Sequence, residues 1–196
     1  MAFVETLSEA HASGAVAEMY EGERARLGEV PNFVKAFSLR PDVYAAWLQL
    51  NGAVKSNMDL RRYELATVAA ARRLHSSYCT LAHASVLMRA FFEPDAVRAL
   101  VEDYHTAGLE PVDVAIMELA EKVAQDATSV TAEDIQRLRD FGLSDRDILD
   151  VVLAAAVRCF FSKTLDALGA EPDSHYAGLP GELRDTLVVG RPIAES

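Results

Sequence analysis

Cys79 and His83 stand four residues apart in the stretch His75-Ser-Ser-Tyr-Cys-Thr-Leu-Ala-His83. On a helix that spacing puts a thiol and an imidazole on one face, one turn apart and within reach of each other. Ser76 or Ser77 is the natural cap of such a helix. Cys79 then falls in the first turn, where unpaired N–H groups and the helix dipole favour an anionic sulfur. The imidazole one turn later accepts the thiol proton or stabilises the anion, so the pair suits nucleophilic or redox chemistry at sulfur. Glu64 belongs to the preceding helix. At about 1.5 Å per residue it lies roughly 16 Å before a turn at His75, and His83 roughly 10 Å beyond it. A helix hairpin therefore brings Glu64 to His83, directly or through one water, more readily than to Cys79. A carboxylate there orients the ring and raises its basicity, completing a nucleophile–base–orienter set.

Each of these residues taken alone has a plainer use. A helical cysteine fills core space, a single histidine is half-buried and hydrogen-bonded, and Glu64 is a solvated helix position. Ser76 and Ser77 are caps, and Tyr78 is a packed aromatic with a wet tip. The joint spacing is what points to chemistry. Cys159 is the second of two cysteines; it is a core residue or, less readily given disulfide geometry, a second thiol able to reach Cys79. His11, His75, His105 and His175 fall outside the pattern and read as surface or structural residues. Cys, His and Glu here lack the spacing of a closed tetrahedral metal set, and there is no Gly-rich phosphate loop or haem motif, so no metal and no cofactor is expected.

The elements that must carry these residues are all helical, for no run alternates long enough to make a sheet. A first helix runs from a Ser8 cap to Leu27 and stops at Gly28. Pro31 opens a short helix, Pro41 a longer one, and Asp59 caps the helix that holds Glu64. After the break at residues 75–77 comes the Cys79 helix, then helices near 94–106 and 111–126. Thr131-Ala-Glu-Asp134 is a capping box for a helix to Phe141, with Gly142 as its stop, and Ser144 caps a last long helix that is apolar nearly all round. The segment from about 174 to 196 is rich in Pro and Gly and is expected to be a flexible tail.

With 196 residues, 51% hydrophobic and 25% charged, the chain has material for one sizeable domain, 1–196, with a buried core. Nineteen basic against thirty acidic residues leave a net charge of −11, which repels phosphate backbones and anionic lipid, so neither nucleic acid nor a membrane surface is an expected partner. The N-terminus has no basic, apolar leader, and no apolar run is long enough to span a bilayer; the expected setting is cytoplasmic and reducing.

Glu64, eleven residues, Ser76, two residues, Cys79, three residues and His83 resemble the AhpD-like motif E-x(11)-C-x-x-C-x-x-x-H. The Val30-Pro-Asn-Phe33 entry, the Arg-Pro-Asp-Val-Tyr helix after it and the closing Thr131–Ala156 stretch with Asp166-Ala-Leu-Gly169 resemble the peroxidase-related branch of the same AhpD-like, carboxymuconolactone decarboxylase family. The likeness covers about residues 25–173. It implies an all-α, AhpD-like domain, a small-molecule substrate (a hydroperoxide or a small organic acid) and a homo-oligomer. It also implies that Cys79 attacks peroxide; the leading reading of the residues adds His83 as base, Glu64 as orienter, and Ser76 and Tyr78 supplying hydrogen bonds near the reacting oxygen. Ser76 departs from the motif, standing where the family has its first, resolving cysteine. With SxxC in place of CxxC, an oxidised Cys79 needs an external thiol reductant or a substitute such as Cys159. Two other functions fit the same residues: carboxymuconolactone-decarboxylase-like acid–base chemistry by His83 and Glu64 on a small acid or lactone, and a non-catalytic oligomeric family member.

Overall fold

The computed structural model describes residues 2–195, and among them there are ten α-helices, three short 3-10 turns and no strand. The helices are α1 (Ala15–Leu27), α2 (Asn32–Ala36), α3 (Pro41–Lys55), α4 (Leu60–Arg73), α5 (Ser77–Ala90), α6 (Pro94–Asp103), α7 (Pro111–Asp126), α8 (Ala132–Asp140), α9 (Asp145–Leu168) and α10 (Gly181–Leu187). The expected all-α class is the observed one. No helix among the described residues is long and apolar enough to cross a membrane.

The caps fall where their chemistry demands. Asp59 accepts from the Arg62 N–H at 3.0 Å at the start of α4, and Thr131 and Ser144 each close a reciprocal capping box. Gly28, Gly142 and Gly169 end their helices at positive φ. The first helix starts later than its Ser8 cap suggests. Ser8 precedes only a 3-10 turn, Glu9–His11, and Gly14 at φ 53 and ψ −133 breaks the chain before α1.

α4 is the axis of the molecule. Tyr63 through Ala71 are all buried, and the small side chains of Ala66, Ala69, Ala70 and Ala71 let α5, α7 and α9 pack against it closely. Asp113, 1% exposed in the first turn of α7, is clamped by Arg61 of α4 at 2.7 Å, where a helix N-terminus also favours its charge. Two apolar clusters result. One joins α4, α5, α6, α7, α9 and α10; the other joins α1, α2, α3, the Cys79 face of α5 and the far side of α9.

The α4–α5 turn is a Schellman closure with a histidine in the left-handed position. Ser76 N–H reaches Ala71 O at 3.0 Å, His75 N–H reaches Arg72 O at 3.0 Å, and His75 has φ 55. The segment expected to be a flexible tail covers this turn. Leu183 and Leu187 of α10 are buried, Gly190 N–H donates to Ser77 Oγ at 2.7 Å, and Arg191 holds Asp166 O. A β-carbon on Gly190 would stand 2.0 Å from His75 O, so only glycine permits this approach. Pro and Gly here serve a tightly packed strap, which composition alone does not distinguish from a loose end.

Candidate active site

Along the second cluster runs a solvent-connected cavity of about 780 Å³, lined by side chains from α1 to α5, α9 and the segment after it. Cys79, His83 and Glu64 all line it. α5 supplies the first two from one face, as their spacing requires. α4 supplies Glu64 from a buried position, 1% exposed.

Glu64 meets His83 directly: Nδ1 lies 2.5 Å from Oε2. A carboxylate only accepts, so Nδ1 carries the proton and the Nε2 lone pair is left for chemistry. Burial lowers the His83 pKa from its ordinary value, the nearby Arg158 charge lowers it further, and Glu64 only partly opposes them. The ring is therefore neutral at pH 7. Burial alone would raise Glu64, but His83 and the Lys55 ammonium, 3.3 Å from Oε1, hold it below the usual range. The Glu64 carboxylate is thus anchored twice, by His83 and by Lys55.

Cys79 makes a different contact from the one its spacing suggests. Its Sγ accepts from Arg158 Nη1 of α9 at 3.4 Å. His83 turns instead toward α4, where the carboxylate is the stronger partner. Arg158 is 3% exposed and forms no ion pair with a carboxylate among the described residues. Burial opposes its charge, yet Cys79 and Tyr63 beside it keep its pKa above the ordinary value. In the sequence Arg158 shows only as an arginine inside an apolar helix, a signal worth following because such a charge needs a partner.

The two supporting residues are placed otherwise. The Tyr78 hydroxyl donates to Asp173 Oδ2 and accepts from the Phe33 N–H at 3.1 Å. It is committed to tying α5 to α2 and to the loop after α9, so it is not free to donate to a reacting oxygen. Ser76 is fully buried, does not line the cavity and does not cap α5 with its side chain. Its side chain lies by Asp166, whose pKa burial raises. Cys159 is half-buried against the first apolar cluster, outside the cavity. Neighbouring residues on a helix point about 100° apart, so the turn that aims Arg158 at Cys79 aims Cys159 elsewhere, and both cysteines are free thiols.

At the mouth, Glu29, Asp173 and His175 gather with ligand atoms within 4.8 Å of one another. His175 Nδ1 pairs with Glu29 at 2.9 Å. Asp173 holds the Asn32 N–H at 2.8 Å besides Tyr78, and burial raises its pKa. The cluster pins the Asp173 loop to the start of α2.

Residues 41–122 match the carboxymuconolactone decarboxylase family. No curated protein matches the chain. Among solved structures, the alkylhydroperoxidase AhpD core protein of Ralstonia eutropha JMP134, an uncharacterised peroxidase-related protein, superposes with a TM-score of 0.79 at 20% identity, covering 97% of this chain and 98% of its own. A peroxidase-related protein of Silicibacter sp. TM1040 gives 0.75 at 22% identity, over 89% and 91% of the two chains. The debrominase Bmp8, as a cysteine-to-alanine variant in complex with 2,3,4-tribromopyrrole, gives 0.70 at 15% identity, over 94% and 95%. Helix order and superposition agree on the AhpD-like helical fold, within which residues 41–122 match the carboxymuconolactone decarboxylase family model.

Proposed function

We propose that the protein is a one-cysteine, peroxidase-like oxidoreductase with Cys79 as nucleophile. The observation that carries this reading is the Arg158–Cys79 contact, Nη1 to Sγ at 3.4 Å. A buried guanidinium without a carboxylate favours negative charge on whatever it faces, and here it faces Cys79 Sγ, so it stabilises the anion formed when that sulfur loses its proton. The α5 N-terminus adds its dipole from the other side.

The Cys79 proton passes to His83 Nε2 directly or through a water in the cavity. The thiolate then attacks the terminal oxygen of a hydroperoxide. The O–O bond breaks, two electrons leave sulfur, and the departing alkoxide takes the proton back from His83 as the alcohol. Cys79 is left as a sulfenic acid, which Ser76 has no sulfur to resolve. An external thiol condenses with it, releasing water, and a second thiol frees Cys79 as the reductant's disulfide forms. Stopped-flow mixing with cumene hydroperoxide tests the reading: sulfenate forms at Cys79 far faster than on a free cysteine, whereas consumption no faster than free cysteine contradicts it.

A second reading rests on the 2.5 Å His83–Glu64 contact, which leaves a neutral imidazole with one free nitrogen, while Lys55 pairs with the same carboxylate. That arrangement suits proton transfer on a small acid or lactone without sulfur chemistry. Cys79→Ser separates the two, since only the acid–base reading keeps turnover. For assembly we propose a homo-oligomer, because Leu149 and Phe160 on the outer side of α9 are 54% and 46% exposed. Light scattering that finds a monomer at micromolar concentration contradicts this.

A further inference from the structure

The cavity is much larger than thiol peroxidation requires. A hydroperoxide group fills the space of about two waters, roughly 60 Å³, against about 780 Å³. The remainder is patterned by one helix. Trp47, Asn51 and Lys55 recur every fourth residue on α3, all three line the cavity, and the stripe they form is about 12 Å long. At its apolar end the Trp47 ring is fixed by stacking on Phe161, centroids 3.9 Å apart, with Phe33 edge-on to Phe161 at 5.7 Å. In the middle, Asn51 Oδ1 accepts from Tyr63 at 2.8 Å, and the Asn51 amide NH₂ makes no hydrogen bond among the described residues. At the polar end Lys55 is 44% exposed and touches Glu64 through one N–H, so it has donors to spare.

Charge is compatible with this. The chain carries a net charge of −11, yet the cavity is lined by Arg26, Lys55, Arg89 and Arg158 against Glu29, Glu64 and Asp173. In a chain acidic overall these lining charges are close to balanced, so the cleft does not repel an anion as the rest of the chain does.

We propose that the substrate is a hydroperoxide of an amphipathic monocarboxylate with a ring at its apolar end. The ring lies against Trp47 and Phe161, and the carboxylate sits on Lys55 and the Asn51 NH₂. Arg158 stays with Cys79. This names the substrate class of the site described above and so rests on that reading, but the binding it requires is separate from sulfur chemistry.

The probes are 4-phenylbutyrate, its neutral amide and ring-free butyrate, titrated by calorimetry and by fluorescence of Trp47, the single tryptophan. Saturable quenching by 4-phenylbutyrate is expected, with butyrate and the amide each bound about tenfold more weakly. Lys55→Met should weaken 4-phenylbutyrate about tenfold, the size of one charge-assisted hydrogen bond. It should leave the amide unchanged, which shows that the cavity keeps its shape. Cys79→Ser should bind 4-phenylbutyrate at least as tightly as the parent, because Arg158 is then left without its sulfur partner, so loss of thiol reactivity and loss of binding are read independently. Equal binding of acid and amide, or no effect of Lys55→Met, overturns the proposal.

Discussion

The two cysteines sit in opposite kinds of surroundings, and the difference runs against exposure. Cys79 is 2% exposed, but it lies in the first turn of α5, lines a cavity and faces a guanidinium. Cys159 is the more exposed of the two, but it packs among apolar side chains and burial raises its pKa. Sulfur becomes a nucleophile through nearby positive charge and an open path to substrate, not through surface area. Because Arg158 and Cys159 are consecutive, one turn of α9 both serves the first thiol and turns the second away.

The sharpest break of that contrast is a pair of substitutions. Cys79→Ser should lower hydroperoxide consumption by about 10³-fold or more, since the nucleophile is gone, while Cys159→Ser stays within about twofold; initial rates with an excess of external thiol measure both. Arg158→Gln keeps the approximate volume and removes the cation, and should slow iodoacetamide alkylation of Cys79 at neutral pH by about tenfold to a hundredfold. Unchanged alkylation would put the activation of Cys79 elsewhere on α5.

Glu64→Gln tests the other half of the site, with a smaller effect of about tenfold. The carboxylate raises the His83 pKa against burial and Arg158, so its loss leaves a weaker base. The acid limb of the pH–rate profile, already below about 6.5 for the parent, should move lower still. Folding stability is linked to the same group. With the native His83 pKa depressed, the unfolded chain takes up the proton first, so this contribution is full above about pH 6.5 and is lost as pH falls through the window down to the native value. Urea midpoints across that range should fall with acidification, less so in His83→Gln. The strap over the α4–α5 turn bears on stability and not on rate. Gly190→Ala should cost about 1–3 kcal/mol by forcing a β-carbon onto His75 O, measured by urea unfolding.

Much of this was legible in the residues themselves. Asp59, Thr131 and Ser144 have short acceptor side chains ahead of apolar runs, and the structure uses each as a cap. The Glu64–His83 approach follows from rise per residue across one hairpin, which is local arithmetic. Arg158 lay beyond such arithmetic because it comes from a helix 79 residues away from Cys79, and no periodicity fixes the rotation of one helix against another. The partner of the Tyr78 hydroxyl was out of reach for the same reason, since Asp173 lies 95 residues downstream. The strap escaped because Pro and Gly mark both loose tails and close backbone contacts, and only the His75 carbonyl decides between them.

The most direct test maps oxidation by mass spectrometry after brief treatment with less than one equivalent of hydroperoxide. One added oxygen, trapped as a sulfenic acid adduct, should appear at Cys79 while Cys159 stays unmodified. Oxygen arriving first at Cys159, or at neither sulfur faster than on free cysteine, would contradict a nucleophile prepared by Arg158.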